Sequence, residues 1–177
     1  MTQSYPYSQD ILKDQVAIVT GGTKGIGKAI VLSFIRHGAT VYICGQNREV
    51  GMEVAKEANT LAKQERAFFC QGDVSSRENV DKIVSEAISN HKKIDILVNN
   101  AGITRDDLLL RMEADKFCEV MDTNLKGAFF CTKEASRMML KNHFGRIIYI
   151  SSVVGVHGNA GQVNYAASKA GLIGMAK

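Results

Sequence analysis

Short apolar runs alternate with helical stretches from Val16 to Lys177, and this alternation limits the possible folds more than any other feature. The runs are VAIVT (Val16–Thr20), ATVYIC (Ala39–Cys44), AFFCQGD (Ala67–Asp73), IDILVNNAG (Ile94–Gly102) and GRIIYISS (Gly145–Ser152). They are apolar on both faces, as strands are when layers cover them on each side. Between them, apolar residues recur at helical spacing over Ile26–His37, Glu49–Lys63, Arg77–His91 and Asp115–Leu140, and a last helix begins at Asn164. Gly38 is a stop signal after the first helix, and the long fourth one is expected to break near Asn124. The pattern predicts an α/β fold: a Rossmann-type, doubly wound parallel sheet with helices on both faces. Such a fold has about six strands in the order 3-2-1-4-5-6. Only five runs are present, and the chain stops inside a helix, so the C-terminal strands are expected to be missing from it.

At 177 residues the chain suits one domain. We assign it to residues 14–177, preceded by a flexible arm at residues 1–13 that is polar and resembles no signal peptide. No apolar run reaches the ~18 residues of a membrane span, so a cytoplasmic protein is expected. The formal charge of +4 is modest and spread out, which argues against nucleic acid and permits a phosphate-bearing ligand. Cys44, Cys70, Cys118 and Cys131 show no CxxC spacing and the four histidines are scattered. No metal site is expected, and the thiols suit a buried, reduced state.

TGGTKGIG (Gly21, Gly22, Thr23, Lys24, Gly25, Ile26, Gly27 after Thr20) joins the first strand to the first helix. Glycines there let backbone approach a pyrophosphate, and the helix N-terminus beyond offers unpaired N–H groups. A dinucleotide site is expected. NAD-binding chains usually place an acid about 20 residues further on, after strand two. Here that position reads Cys44-Gly45-Gln46-Asn47, and Lys24 stands in the loop, so NADP(H) is favoured. Glu49 is expected to cap a helix start. Gly72-Asp73-Val74 and Asn99-Asn100-Ala101-Gly102 end strands three and four and point to the same crevice. Asp73 could bind an adenine amine or cap a helix, and Asn100 could brace the cofactor or simply form a turn.

Tyr165 and Lys169 lie one helical turn apart, and Ser152 ends the fifth strand. On a helix the phenol and the ammonium share a face. A cation beside a phenol favours the phenolate and eases proton transfer near neutrality. With a serine hydroxyl, the pair could donate a proton to a carbonyl oxygen. The small residues Ala166, Ala167, Ala170, Gly171 and Gly174 indicate that this helix packs closely, on its own sheet or on another subunit.

In this order, TGGTKGIG, NNAG, Asn124, Ser152 and Tyr165-x-x-x-Lys169 resemble the short-chain dehydrogenase/reductase family from Asp14 to Lys177. Asn99–Met112 and Ser151–Gly174 resemble its 3-oxoacyl-(acyl-carrier-protein) reductase branch, in type II fatty-acid synthesis. The resemblance implies an NADPH-dependent reductase acting on acyl-carrier-protein thioesters, with Tyr165 as general acid and Ser152 holding the carbonyl oxygen. Lys169 would assist the tyrosine and bind the nicotinamide ribose, and Asn124 would position a water. It also implies a homotetramer. Arg105, Arg111, Lys141 and Arg146 are possible contacts for the acidic carrier. Gln46 departs from the arginine or small hydroxyl residue common in NADP-dependent members. The alternatives are a family member acting on a sugar, polyol or steroid, or a non-catalytic NADP(H)-binding protein.

Overall fold

A computed structural model describes residues 10–177. It contains β1 (Val16–Thr20), α1 (Gly25–Arg36), β2 (Thr40–Gly45), α2 (Arg48–Ala62), β3 (Ala67–Gln71), α3 (Arg77–His91) and β4 (Ile96–Asn99). A 3-10 turn (Leu109–Arg111), α4 (Ala114–Met121), α5 (Gly127–Lys141), β5 (Arg146–Tyr149), the short α6 (Val154–His157) and α7 (Val163–Ala176) follow. The strands form one parallel sheet in the order β3-β2-β1-β4-β5. The expected α/β architecture is therefore present.

The central strands β1, β2 and β4 bury their apolar side chains on both faces. One core layer joins Ile18, Tyr42, Leu97 and Ile83 to Cys131 and Met139 of α5. The other joins Val19, Val41, Ile43 and Val98 to Val31 and Ile35 of α1 and Val54 of α2. β5 is an edge strand, and its Ile148 is 41% exposed.

Residues 1–9 of the expected arm lie outside the described residues, whereas 10–14 form a turn. There the Leu12 N–H bonds the His37 carbonyl, and Leu12 packs on the core. The expected break near Asn124 is a π turn, Asp122–Lys126, which joins α4 to α5 while keeping the backbone helical. One cap differs from expectation, and one of the two roles open to Asp73 is not taken. Asn47 caps α2 by accepting from Val50 N–H, with Glu49 inside its first turn. Ser76, and not Asp73, caps α3.

Candidate active site

Parallel pairing brings the carboxyl ends of all five strands to one rim, and the glycine loop, the NNAG turn and the Ser152 segment meet there. Thr20 at the end of β1 organises the junction. Its Oγ1 donates to the Val98 carbonyl at 3.2 Å and accepts from the N–H groups of Asn100 and Ala101 at 3.0 Å each. Asn100 returns the tie, its Nδ2 donating to the carbonyls of Thr20 (2.9 Å) and Gly21 (3.0 Å). Gly21 has φ +63°, and a Cβ there would lie 2.9 Å from the Ala101 Cα. A Cβ on Gly27 would fall on the Gly21 carbonyl and the Asn100 amide. The glycines thus let this loop close against the β4 turn.

A trough of about 380 Å³ opens beside this junction. Gly21, Thr23, Lys24, Gln46, Val74, Ala101 and Gly102 of the expected cofactor set line it, and no carboxylate side chain does among the described residues. Gly22 is buried beneath the loop, and a Cβ there would press on Ile43. Gly25 takes φ +53° in open space. Asp73 lies in an adjoining hollow with Gln46. Its Oδ1 accepts from the Ser75 N–H (2.9 Å) and hydroxyl (2.8 Å), forming a tight turn rather than a helix cap. The residues present fit a dinucleotide: a glycine-walled trough, no competing acid, and Lys24 at its side.

A second cleft, of about 540 Å³, shares Lys24 and Gly102 with the trough and is lined by Ile26, Asn100, Ser152, Tyr165 and Lys169. The structure therefore brings the serine, tyrosine and lysine together, next to the glycine loop. Lys169 is 4% exposed, and its Nζ donates to the Ile150 carbonyl at 2.7 Å while lying 5.6 Å from the Tyr165 ring centre. Burial pushes its pKa below the usual lysine range. Ser152 Oγ accepts from the Val154 N–H at 3.2 Å, which leaves its own proton to donate. Ser151 Oγ donates to the Lys169 carbonyl at 2.8 Å and fixes α7 to the end of β5.

Asn124 is buried behind Gly102 and lines neither cavity. Its Oδ1 accepts from the Ile103 N–H (2.8 Å), and its Nδ2 donates to the Ile103 carbonyl (3.0 Å) and to Ser168 Oγ (3.1 Å). The π turn presents this side chain to the strand-four loop, so its amide fastens the cleft wall. Sequence reasoning missed Thr20, Asn164 and Ser168, all buried and polar. The spacing held a signal: Asn164 and Ser168 are polar at i,i+4, one position ahead of Tyr165 and Lys169 at the same spacing.

The possible carrier contacts separate. Arg105 is held by Glu119 through two bonds, and Arg111 is exposed at the end of the 3-10 turn between β4 and α4. Lys141 and Arg146 stand at the amino end of β5, the opposite rim of the sheet. On α7, Gly171 packs on Leu125, while Ala167 and Ala170 are exposed and Gly174 faces open space.

The model of the short chain dehydrogenase family matches residues 15–177. A 3-oxoacyl-(acyl-carrier-protein) reductase of Synechocystis is 45% identical over 166 residues, 94% of this chain and 67% of the relative. Enzymes of the same name are 43% identical in Thermotoga maritima, with the same coverage, and 42% identical in Chlamydia muridarum, where 94% of this chain and 67% of the relative align. The chain thus spans about two thirds of the length of these relatives.

Proposed function

From the premise that the chain belongs to the short-chain dehydrogenase family, and is therefore an oxidoreductase with a nicotinamide cofactor, we propose that it reduces 3-oxoacyl thioesters on acyl carrier protein to 3-hydroxyacyl thioesters with NADPH. The observation that carries the reading is the single cleft holding Ser152, Tyr165 and Lys169 beside Lys24 and Ile26 of the glycine loop.

NADPH, when bound along the trough, supplies the hydride for the carbonyl carbon. Gly21, Thr23, Lys24, Ala101 and Gly102 would hold it, and Lys24, in a trough lined by no carboxylate, would supply positive charge for the extra phosphate. Ser152 donates its hydroxyl proton in a hydrogen bond to the substrate carbonyl oxygen, on which negative charge builds. Tyr165 then transfers its phenolic proton to that oxygen, completing the alcohol. Lys169, held by the Ile150 carbonyl, sets a positive charge near the phenolate left behind. Asn124 fixes the opposite wall through Ile103.

Arg111, exposed on the connection from β4 to α4 that also carries the cleft residues Ile103–Arg105, is the basic residue assigned here to an acidic carrier protein. The homotetramer belongs to the same reading, with the exposed Ala167 and Ala170 and the open Gly174 giving α7 a face for a second copy. So does a cytoplasmic location, which fits the finding that no helix among the described residues is long and apolar enough to cross a membrane. The test is NADPH oxidation with an acetoacetyl thioester. The proposal expects turnover; no turnover with the thioester, together with NADP+-dependent oxidation of a sugar or steroid alcohol, would overturn the substrate assignment.

A further inference from the structure

The peptide of Tyr165 is gripped on both sides by buried side chains. α7 begins at Val163, so the Tyr165 N–H lies in the first turn, where no backbone carbonyl of the helix can accept it. Asn164 Oδ1 accepts it at 2.7 Å. The Tyr165 carbonyl accepts from Ser168 Oγ at 2.8 Å. Asn164 and Ser168 are both 0% exposed, and neither lines a cavity beside the active site.

Each grip continues to the same place. Asn164 Nδ2 donates to the Arg105 carbonyl at 2.9 Å and the Lys116 carbonyl at 3.4 Å. Ser168 Oγ accepts from Asn124 Nδ2, and Asn124 holds the Ile103 N–H and carbonyl. Ile103, Thr104 and Arg105 line the catalytic cleft together with Tyr165, on a stretch with no helix or strand of its own. Two hydrogen-bonded routes therefore join the Tyr165 backbone to one three-residue wall. The general need to satisfy buried polar groups explains why each side chain has partners. It does not explain why both sets of partners converge on this wall. The charges nearby are paired with one another: Arg105 with Glu119, and Lys116 with Asp107.

We propose that Asn164 and Ser168 are positioning residues that set Tyr165 at a fixed distance from the Ile103–Arg105 wall, and so fix where a substrate carbonyl meets the phenol. The kinetic consequence rests on the reductase reading above. Asn164→Asp keeps the size and the Oδ1 acceptor but replaces the amide donor with an oxygen that faces two carbonyls. Ionised, it repels them, and protonated, it donates to one. With saturating NADPH and an acetoacetyl thioester, kcat of this variant should fall roughly 100-fold in its ionised form and recover as pH is lowered. Its NADPH affinity should stay unchanged. Ser168→Ala should lower kcat by about 10-fold at every pH.

Wild-type kcat in both variants would overturn the proposal. So would losses without pH recovery that are matched by equal losses of cofactor affinity and thermal stability. If the wild-type chain reduces no 3-oxoacyl thioester, the reductase reading fails and amide exchange decides the positioning. Faster exchange in segments 103–107 and 163–169 together, in both variants, supports the coupling; faster exchange in one segment alone contradicts it.

Discussion

Lys169 and Tyr165 share a cleft but differ in how far the protein has withdrawn them from water. Burial lowers the pKa of Lys169 from its ordinary 10.5, so the folded chain loses this proton before the unfolded chain does. In the window between the lowered value and 10.5, the unfolded state binds more protons and stability rises with pH. The thermal midpoint of the wild type should therefore gain on that of Lys169→Met as pH climbs through this window, and the gain should level off above 10.5. A constant difference between the two would contradict the burial argument. Thiol reactivity gives a second check. Cys44, Cys70 and Cys131 are buried, and burial pushes all three thiols up, Cys131 to about 12. Cys118 is exposed, against the expectation of a wholly buried set. A thiol reagent should label Cys118 at once and the other three only after unfolding.

Among the elements, the βα junctions carry most of the site. Gly27→Ala places a methyl on the Gly21 carbonyl, which should cost about 1–3 kcal/mol of stability and weaken NADPH binding, measured by calorimetry and denaturant titration. The strands were legible because VAIVT, TVYIC and ILVN are apolar on both faces, which suits only a covered sheet. Glycine spacing and the i,i+4 pair of Tyr165 and Lys169 marked the two ends of the crevice for the same reason: few residue types can serve there. The rest depended on three-dimensional partners. Asp73 and Ser76 are both capable caps, and only the start of α3 at Arg77 selects the serine. The break at Asn124 was visible, but neither its π form nor the Ile103 backbone that Asn124 reaches across 21 residues was. Asn164 and Ser168 looked like helix filler because their partners lie 44 to 59 residues away.

For the whole molecule, the sheet fixes the geometry and its rim holds the chemistry. Ligand binding at that rim should stabilise the fold by mass action, so NADPH should raise the thermal midpoint more than NADH does. Equal shifts would remove the role given to Lys24 and the acid-free trough. The central claim is that the cleft holding Ser152, Tyr165 and Lys169 performs a nicotinamide-dependent carbonyl reduction with Tyr165 as the acid. The most direct test compares NADPH oxidation by the wild type and by Tyr165→Phe, with an acetoacetyl thioester as substrate. The account predicts a loss of roughly 100- to 10,000-fold in kcat with NADPH binding retained. A variant that turned over at the wild-type rate would contradict it.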